Sequence, residues 1–238
     1  MAKLKPYYKQ IADELEKDIL AYKYRAGSRM PTEKEIQERF YVSRMTVRQA
    51  YRLLEKKGVA VIVKNKGVFV NDVTIQREQD LVSFHELIAN KGLESKTKIT
   101  RFERGKPEKR IARILDLDEN GEVYFLTRYR YVNNELVIIE YAHIPADLVP
   151  NLSQFDFENE SLYSVFKNHY GLRMVEFEDE ISADIIGGEN ARAMLNTKSG
   201  PVLKIKTLGK LENGTPIEYT EQYANFRVFS YKTTLKID

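Results

Sequence analysis

The sequence predicts an α+β chain of two domains, a small helical module closed by a β-hairpin and a larger antiparallel sheet flanked by helices. Three observations lead there. Residues 31–57 read as two short helices joined by a tight turn, and they run straight into a basic hairpin at 59–70. Charge is unevenly spread: residues 1–72 hold 16 Lys+Arg against 9 Asp+Glu, a net +7, whereas residues 73–238 hold 22 against 26, a net −4. Beyond residue 95, alternating apolar and polar runs recur at about 96–104, 123–132, 135–144, 173–186, 201–212, 216–224 and 229–237. The boundaries fall at 1–72 for the first domain, 73–80 for a polar linker and 81–238 for the second domain.

The 238 residues suit two domains. There is no cysteine, which excludes disulfides, thiolate metal sites and thiol nucleophiles. No apolar run approaches the roughly 20 residues that span a bilayer, and the N-terminus carries no signal-peptide pattern. A soluble cytoplasmic protein with no membrane partner is expected. A basic module joined to a mildly acidic one fits a polyanion-facing head, although charge also fluctuates between domains for no functional reason.

In the first domain, a helix from about Tyr8 to Ala21 places Ile11, Leu15 and Ile19 on one buried stripe. Gly27 and Pro31 bracket the connection to a second helix. Thr32 and Glu35 form a capping box, in which the hydroxyl accepts from a free helix N–H and the carboxylate reaches back. Ser43 caps the third helix, which runs to about Lys57 and stops at Gly58. Val42, Val47, Ala50, Leu53 and Leu54 anchor it at helical spacing. Its first turns carry Arg44, Thr46, Arg48 and Gln49, where a helix in the major groove presents side chains to phosphates and base edges.

Val59–Val63 and Val68–Val70 then flank Lys64-Asn65-Lys66-Gly67, the wing of a winged helix-turn-helix. Lys64 and Lys66 are placed for phosphates, while Asn65 and Gly67 tolerate positive φ and allow close approach. An ordinary basic hairpin on a small helical domain is the plain alternative.

The stretches Tyr8–Ile11, Gly27–Glu33, Ser43–Ala50, Leu53–Gly58 and Gly67–Val70 resemble the DNA-binding domain of the GntR family of bacterial transcription regulators. The resemblance implies DNA contacts at Ser43, Arg44, Thr46, Arg48 and the wing tip, with Lys34 where the family often has Arg. One departure stands out. The wing of the family usually reads basic-Gly-x-Gly, and the first of those glycines is Asn65 here.

In the second domain, Ser83 and Glu86 form another capping box at the head of a helix whose free N–H groups make a ready anion site. Helices are expected at about 107–116, 160–170 and 188–196, and Asn133-Asn134 and Asn213-Gly214 signal turns between neighbouring strands. Arg128 and Arg130 lie two apart on one strand, so both face one side of the sheet. Two adjacent guanidiniums repel unless a phosphate, a carboxylate or a partner Glu lies between them. A solvated strand face paired with Glu140 or another acid is the alternative.

Ser161 and Tyr163 open a further helix and offer a hydroxyl and an aromatic wall. On the strand 217–223, Glu218, Thr220 and Gln222 share one face and Tyr219, Glu221 and Tyr223 the other. A pocket carboxylate such as Glu218 suits sugar hydroxyls, and a polar outer strand face explains the pattern equally well.

Leu81–Phe84, Thr127–Arg130, Ile139–Pro145, Ser161–Tyr163, Gly200–Leu203 and Asn213–Glu218 resemble the effector domain of the HutC branch of GntR regulators, which has the chorismate-lyase-like fold and is known as UTRA. With the first match, the resemblance covers nearly the whole chain. It implies that a phosphate is held by Ser83, Phe84, His85, Arg128, Arg130, Ser161 and Tyr163, and a sugar by Glu140, Glu218 and Tyr223. Strict alternation puts Tyr223 opposite Glu218, so Tyr223 joins them only past a bulge or bend.

The expected protein is a ligand-responsive transcription regulator, most simply a repressor of a sugar-utilisation operon. Its partners are a palindromic double-stranded operator, a second copy of the chain held through the C-terminal domains, and a small effector, a sugar phosphate in the first instance. No cofactor and no metal are expected: His85, His143 and His169 lie far apart, and only Glu140 stands at helical spacing from one of them. A non-sugar anion as effector, a lyase-like enzyme with an accessory DNA module, and a nonspecific architectural protein are the rival readings.

Overall fold

The structure, a computed structural model, describes residues 6–20, 23–71, 73–76, 84–90 and 92–232. Its contacts divide the chain into two units, Met1–Gln76 with Asn133–Glu135 and Arg227–Asp238, and Arg77–Val132 with Leu136–Phe226.

In the first unit, α1 (Tyr7–Leu20) buries Ile11, Leu15 and Ile19 as its spacing predicts, together with Ala12. Helix α2 (Glu33–Phe40) starts at the expected capping box: Glu35 N–H donates to Thr32 Oγ1 at 3.3 Å, and Thr32 N–H donates to Glu35 Oε2 at 2.6 Å. Ser43 caps α3 (Arg44–Lys56), accepting from Thr46 N–H. The far end of α3 closes in a Schellman motif. Gly58 adopts φ +69°, its N–H donates to Glu55 O, and Val59 N–H donates to Leu54 O.

Strands β1 (Ala60–Val63) and β2 (Gly67–Val70) pair antiparallel, and Ala60, Val68 and Val70 join Val47, Ala50, Tyr51 and Leu54 in one core. Residues 28–30 add a short third edge, with Met30 N–H donating to Val68 O and Val70 N–H to Ser28 O. The segment expected as linker holds a strand, β3 (Val73–Gln76), paired in parallel with β10 (Phe229–Lys232). The rest of the strand expected at 229–237 lies outside the described residues.

The second unit is a six-stranded sheet in the order β4-β5-β6-β9-β8-β7. Its strands are β4 (Ser95–Gly105), β5 (Val123–Val132), β6 (Glu135–Pro145), β7 (Met174–Gly187), β8 (Ser199–Leu211) and β9 (Pro216–Ala224), with β4–β5, β6–β9, β9–β8 and β8–β7 pairing antiparallel. Its helices are α4 (Phe84–Ala89), α5 (Lys109–Ile114), α6 (Leu162–His169) and α7 (Gly188–Leu195). Asn133 and Asn134 take φ of 47° and 68°, as a tight hairpin turn between twisted strands requires.

The sheet has two unlike faces. On one, Tyr124, Leu126, Ala142 and Ile144 pack against Leu162, Val165 and Phe166 of α6. On the other, Val123 and Tyr219 meet Ile111 and Leu115 of α5, while Ile139 and Val202 meet Ala191, Met194 and Leu195 of α7.

Gly58→Ala forces a β-carbon onto the left-handed backbone that closes α3. We expect it to lower stability by about 1–2 kcal/mol, read as a fall in the midpoint of denaturant unfolding.

Candidate functional site

Arg44 and Arg48 stand one turn apart on α3, exposed, and converge on one carboxylate. Arg44 Nε donates to Glu33 Oε2 at 2.5 Å and Arg48 Nε to Glu33 Oε1 at 2.9 Å. The hydrogen bond from Arg44, opposed by partial burial and reinforced by Arg48, holds the Glu33 carboxyl below its ordinary range. A single acid in the first turn of α2 therefore sets the direction of both guanidiniums while each keeps further N–H donors.

Ser43 and Thr46 pair their hydroxyls at 2.9 Å, Gln49 is exposed, and Lys34 sits in solvent 3.8 Å from Glu38. At the wing tip Lys64, Asn65 and Lys66 are exposed. Asn65 takes φ 63°, the left-handed geometry expected of it, and Gly67 takes φ 116° with Arg29 Nε only 3.1 Å from where a β-carbon would sit. Met45, 63 % exposed in the first turn of α3, stands beside Arg44 and Thr46 without belonging to the apolar stripe. Its apolar side chain among polar neighbours suits a thymine methyl.

In the second unit Arg128 and Arg130 do share a face, and the acid between them is Glu140 on the adjacent strand. Arg128 Nε donates to Glu140 Oε1 at 2.6 Å, and its Nη2 contacts the same oxygen. Arg130 Nη2 stands 3.3 Å from both carboxylate oxygens. Gln222, opposite Glu140 in the β6–β9 register, donates from Nε2 to Oε2 at 2.7 Å. The cluster is buried, with Arg128 at 5 % and Glu140 at 2 % exposure. Burial opposes ionisation of Glu140, but the two guanidiniums and the bonds from Arg128 and Gln222 bring its pKa from 4.5 down to about 2. Burial also holds Arg130 below its ordinary value. Two cations share one anion, so the triad carries a net positive charge.

Around it, the Phe84 ring lies 4.9 Å from the Arg130 guanidinium. His85 is held by Ser95 Oγ at 2.8 Å through Nδ1, and by Thr97 Oγ1 and the Glu158 carbonyl, both 3.2 Å away, through Nε2. Burial, then the Arg130 charge, push its pKa down, which favours the neutral imidazole. Tyr163 OH donates to Glu218 Oε2 at 2.9 Å, and Ser161 caps α6 by accepting from Ser164 N–H.

The structure thus gathers Phe84, His85, Arg128, Arg130 and Glu140 into one network, with Tyr163 and Glu218 bonded together on the same sheet face. It separates Tyr223 from them. The β8–β9 register runs without a break from Leu203↔Ala224 to Gly209↔Glu218, so no bulge turns Tyr223 over, and it lies with Tyr141 and Lys204 on the opposite face. Ser83 lies outside the described residues, so its expected capping box has no structural account. Sequence spacing does not bring Gln222 to Glu140 or Thr97 to Arg130; each pair stands directly across the ladder, a relation that depends on the strand order.

Among the described residues no group of three or more His, Asp or Glu is placed to hold a metal, and no helix is long and apolar enough to cross a membrane.

A winged helix with an arginine-bearing reading helix, joined to a sheet with a buried cationic cluster, defines a DNA-binding regulator with a ligand-sensing domain. Comparison with known proteins agrees. The UTRA domain pattern matches residues 90–229, and that of the bacterial regulatory proteins of the gntR family matches residues 7–70. The HTH-type transcriptional repressor NagR of Bacillus subtilis (strain 168) is 29% identical over 217 residues, 91% of this chain and 89% of that protein. The mannosyl-D-glycerate transport/metabolism system repressor MngR of Escherichia coli (strain K12) is 27% identical, over 97% of this chain and 95% of that one. Crystalline PhnF from Mycobacterium smegmatis shares the fold with a TM-score of 0.64 at 22% identity, over 95% of this chain and 100% of that one. The chain belongs to the GntR family, in the HutC branch that carries a UTRA domain. It is a family of transcription regulators, not of enzymes; its members bind DNA operators and, through UTRA, a small effector.

Two outcomes follow from these clusters. Glu33→Gln removes the acid that aims Arg44 and Arg48 and leaves the reading head more positive. Affinity for random duplex should rise while the ratio of operator to random affinity falls, as gel-shift titrations across a salt series will read. Glu140→Gln leaves two buried guanidiniums without their acid and should cost about 3–5 kcal/mol at neutral pH. The folded pKa of Glu140 lies below 4.5, so its stabilisation is present above about pH 4.5 and lost as pH falls toward 2. The variant should lose that part of the acid limb in unfolding curves recorded across this range.

Proposed function

We propose that the protein is a repressor of a sugar-utilisation operon, released by a small phosphorylated sugar bound at the Arg128–Glu140–Arg130 cluster. The carrying observation is the charge of that cluster, two guanidiniums on one carboxylate, a net positive charge that an anionic phosphoryl group complements and a neutral molecule does not. Relatives named as repressors of mannosyl-D-glycerate and fructoselysine systems support a sugar-linked role. In this reading Arg130, Tyr163 and Ser161 meet the phosphate, and Glu218 accepts from sugar hydroxyls. Glu140 acts through the arginines, as their counterion.

Arg44, Arg48, Thr46 and Gln49 read the operator, and Lys64 and Lys66 grip its backbone. The domains divide at 1–72, 73–80 and 81–238. Two copies join through the C-terminal domains and work in the cytoplasm on a palindromic site, because one reading helix covers only a half-site. Effector shifts the population toward an arrangement whose reading helices no longer match the operator, with the stretch between the two domains as hinge. A ligand that prefers that arrangement about 100-fold supplies roughly 2.7 kcal/mol of bias.

A thermal-shift panel of phosphorylated and free sugars tests the ligand: a phosphorylated sugar should raise the melting temperature and its unphosphorylated parent much less. Arg44→Ala should weaken operator binding with effector affinity intact, and Arg128→Ala should do the reverse. Loss of both activities in either folded variant contradicts two separate sites.

A further inference from the structure

The sheet face opposite Arg128 holds a cavity of about 510 Å³ that the proposed effector does not use. It lies between α5 and α7, within the usual range of small-molecule pockets, roughly 300–1,000 Å³. Its floor is apolar and aromatic, made by Ile139, Phe125, Tyr141 and Tyr223. The Phe125 ring stands edge-on to His143 at 5.5 Å, and Tyr141 edge-on to Tyr223 at 6.1 Å, so each pair is fixed by its neighbour.

The polar groups on this floor are neutral and of both kinds. His143 Nδ1 lies 3.4 Å from the Tyr219 carbonyl oxygen; donating there makes Nε2 the acceptor. Burial also depresses the His143 pKa, which keeps the ring uncharged. Asn190 is held with its amide between two phenols, accepting from Tyr129 OH at 2.9 Å and donating to Tyr141 OH at 3.4 Å.

Every cation on the rim already faces an acid, and Glu108 adds a further carboxylate there. Arg110 holds Glu221 at 2.7 Å, Lys204 lies 3.4 Å from Asp184 and 3.8 Å from Glu221, and Arg101 is bonded to Glu103 at 2.5 Å. This is the reverse of the Arg128 cluster, where the acid is outnumbered.

We infer that this cavity is a second ligand site, for a neutral polyhydroxylated molecule of sugar size. Ring faces suit the apolar faces of such a ligand, and fixed amide, phenol and imidazole groups meet its hydroxyls without demanding a charge. It also gives Tyr223 a role on its own side of the sheet.

Calorimetric titration of the full chain with glucose, N-acetylglucosamine, maltose and cellobiose, and with indole as an uncharged aromatic probe, tests the inference. Neutral sugars offer the Arg128 cluster no phosphate, so the result is independent of the proposed effector. At least one of the four sugars should saturate at millimolar concentration, and Asn190→Ala should weaken it by about tenfold or more. Tyr223→Phe removes only a hydroxyl and should weaken it too, which keeps the test decisive should Asn190→Ala fold poorly. No saturation by any sugar, binding of indole alone, or sugar binding indifferent to the pocket variants overturns the inference.

Discussion

Two guanidiniums that share one carboxylate inside a β-sheet are the constraint on which the sensing domain rests. Arg128 and Arg130 are costly to bury, and only Glu140 on the neighbouring strand, itself held by Gln222 across the next ladder, makes their burial tolerable. That requirement ties β5, β6 and β9 together in one register. A slip of one residue would turn Glu140 to the other face and strand both arginines. The remaining positive charge is the part of the arrangement that structure alone does not consume, and the proposed function assigns it to a phosphorylated ligand.

The DNA-reading unit repeats the motif in a different solvent. Arg44 and Arg48 also share one acid, Glu33, but at the surface. There the ion pairs are weak and screened, so exchanging them for a competing anion costs little. In the sheet the same three charges form a fixed, buried element that does not give way. One pattern, two arginines on one glutamate, thus yields an adaptable grip in water and a preorganised one in the interior. Burial alone separates the two.

Local chemistry made most of the fold legible. Thr32 with Glu35, Ser43, and Gly58 mark helix ends by hydrogen-bonding rules that act within a few residues, and all three are found in those roles. The strands expected at 123–132 and 216–224 are β5 and β9 to the residue, each abutting a signalled turn, Asn133-Asn134 after β5 and Asn213-Gly214 before β9. Strand β3 was not expected, since a four-residue segment among polar neighbours gains its structure from β10, more than 150 residues away. The candidate site was legible as far as periodicity reaches. Alternation put Arg128 and Arg130 together and Tyr223 apart from Glu218. It could not bring Gln222 to Glu140 or Thr97 to Arg130, because those pairings depend on strand order. The cavity between α5 and α7 was equally out of reach, since it is built from five strands and two helices.

The net charge of the buried triad is the central claim, and a crystal structure of the full chain with a phosphorylated hexose examines it most directly. The account predicts phosphoryl oxygens within about 3 Å of Arg130 Nη and Tyr163 OH, with Glu140 still bonded to Arg128. A phosphoryl group bound elsewhere, with both arginines engaged by Glu140 alone, would contradict it.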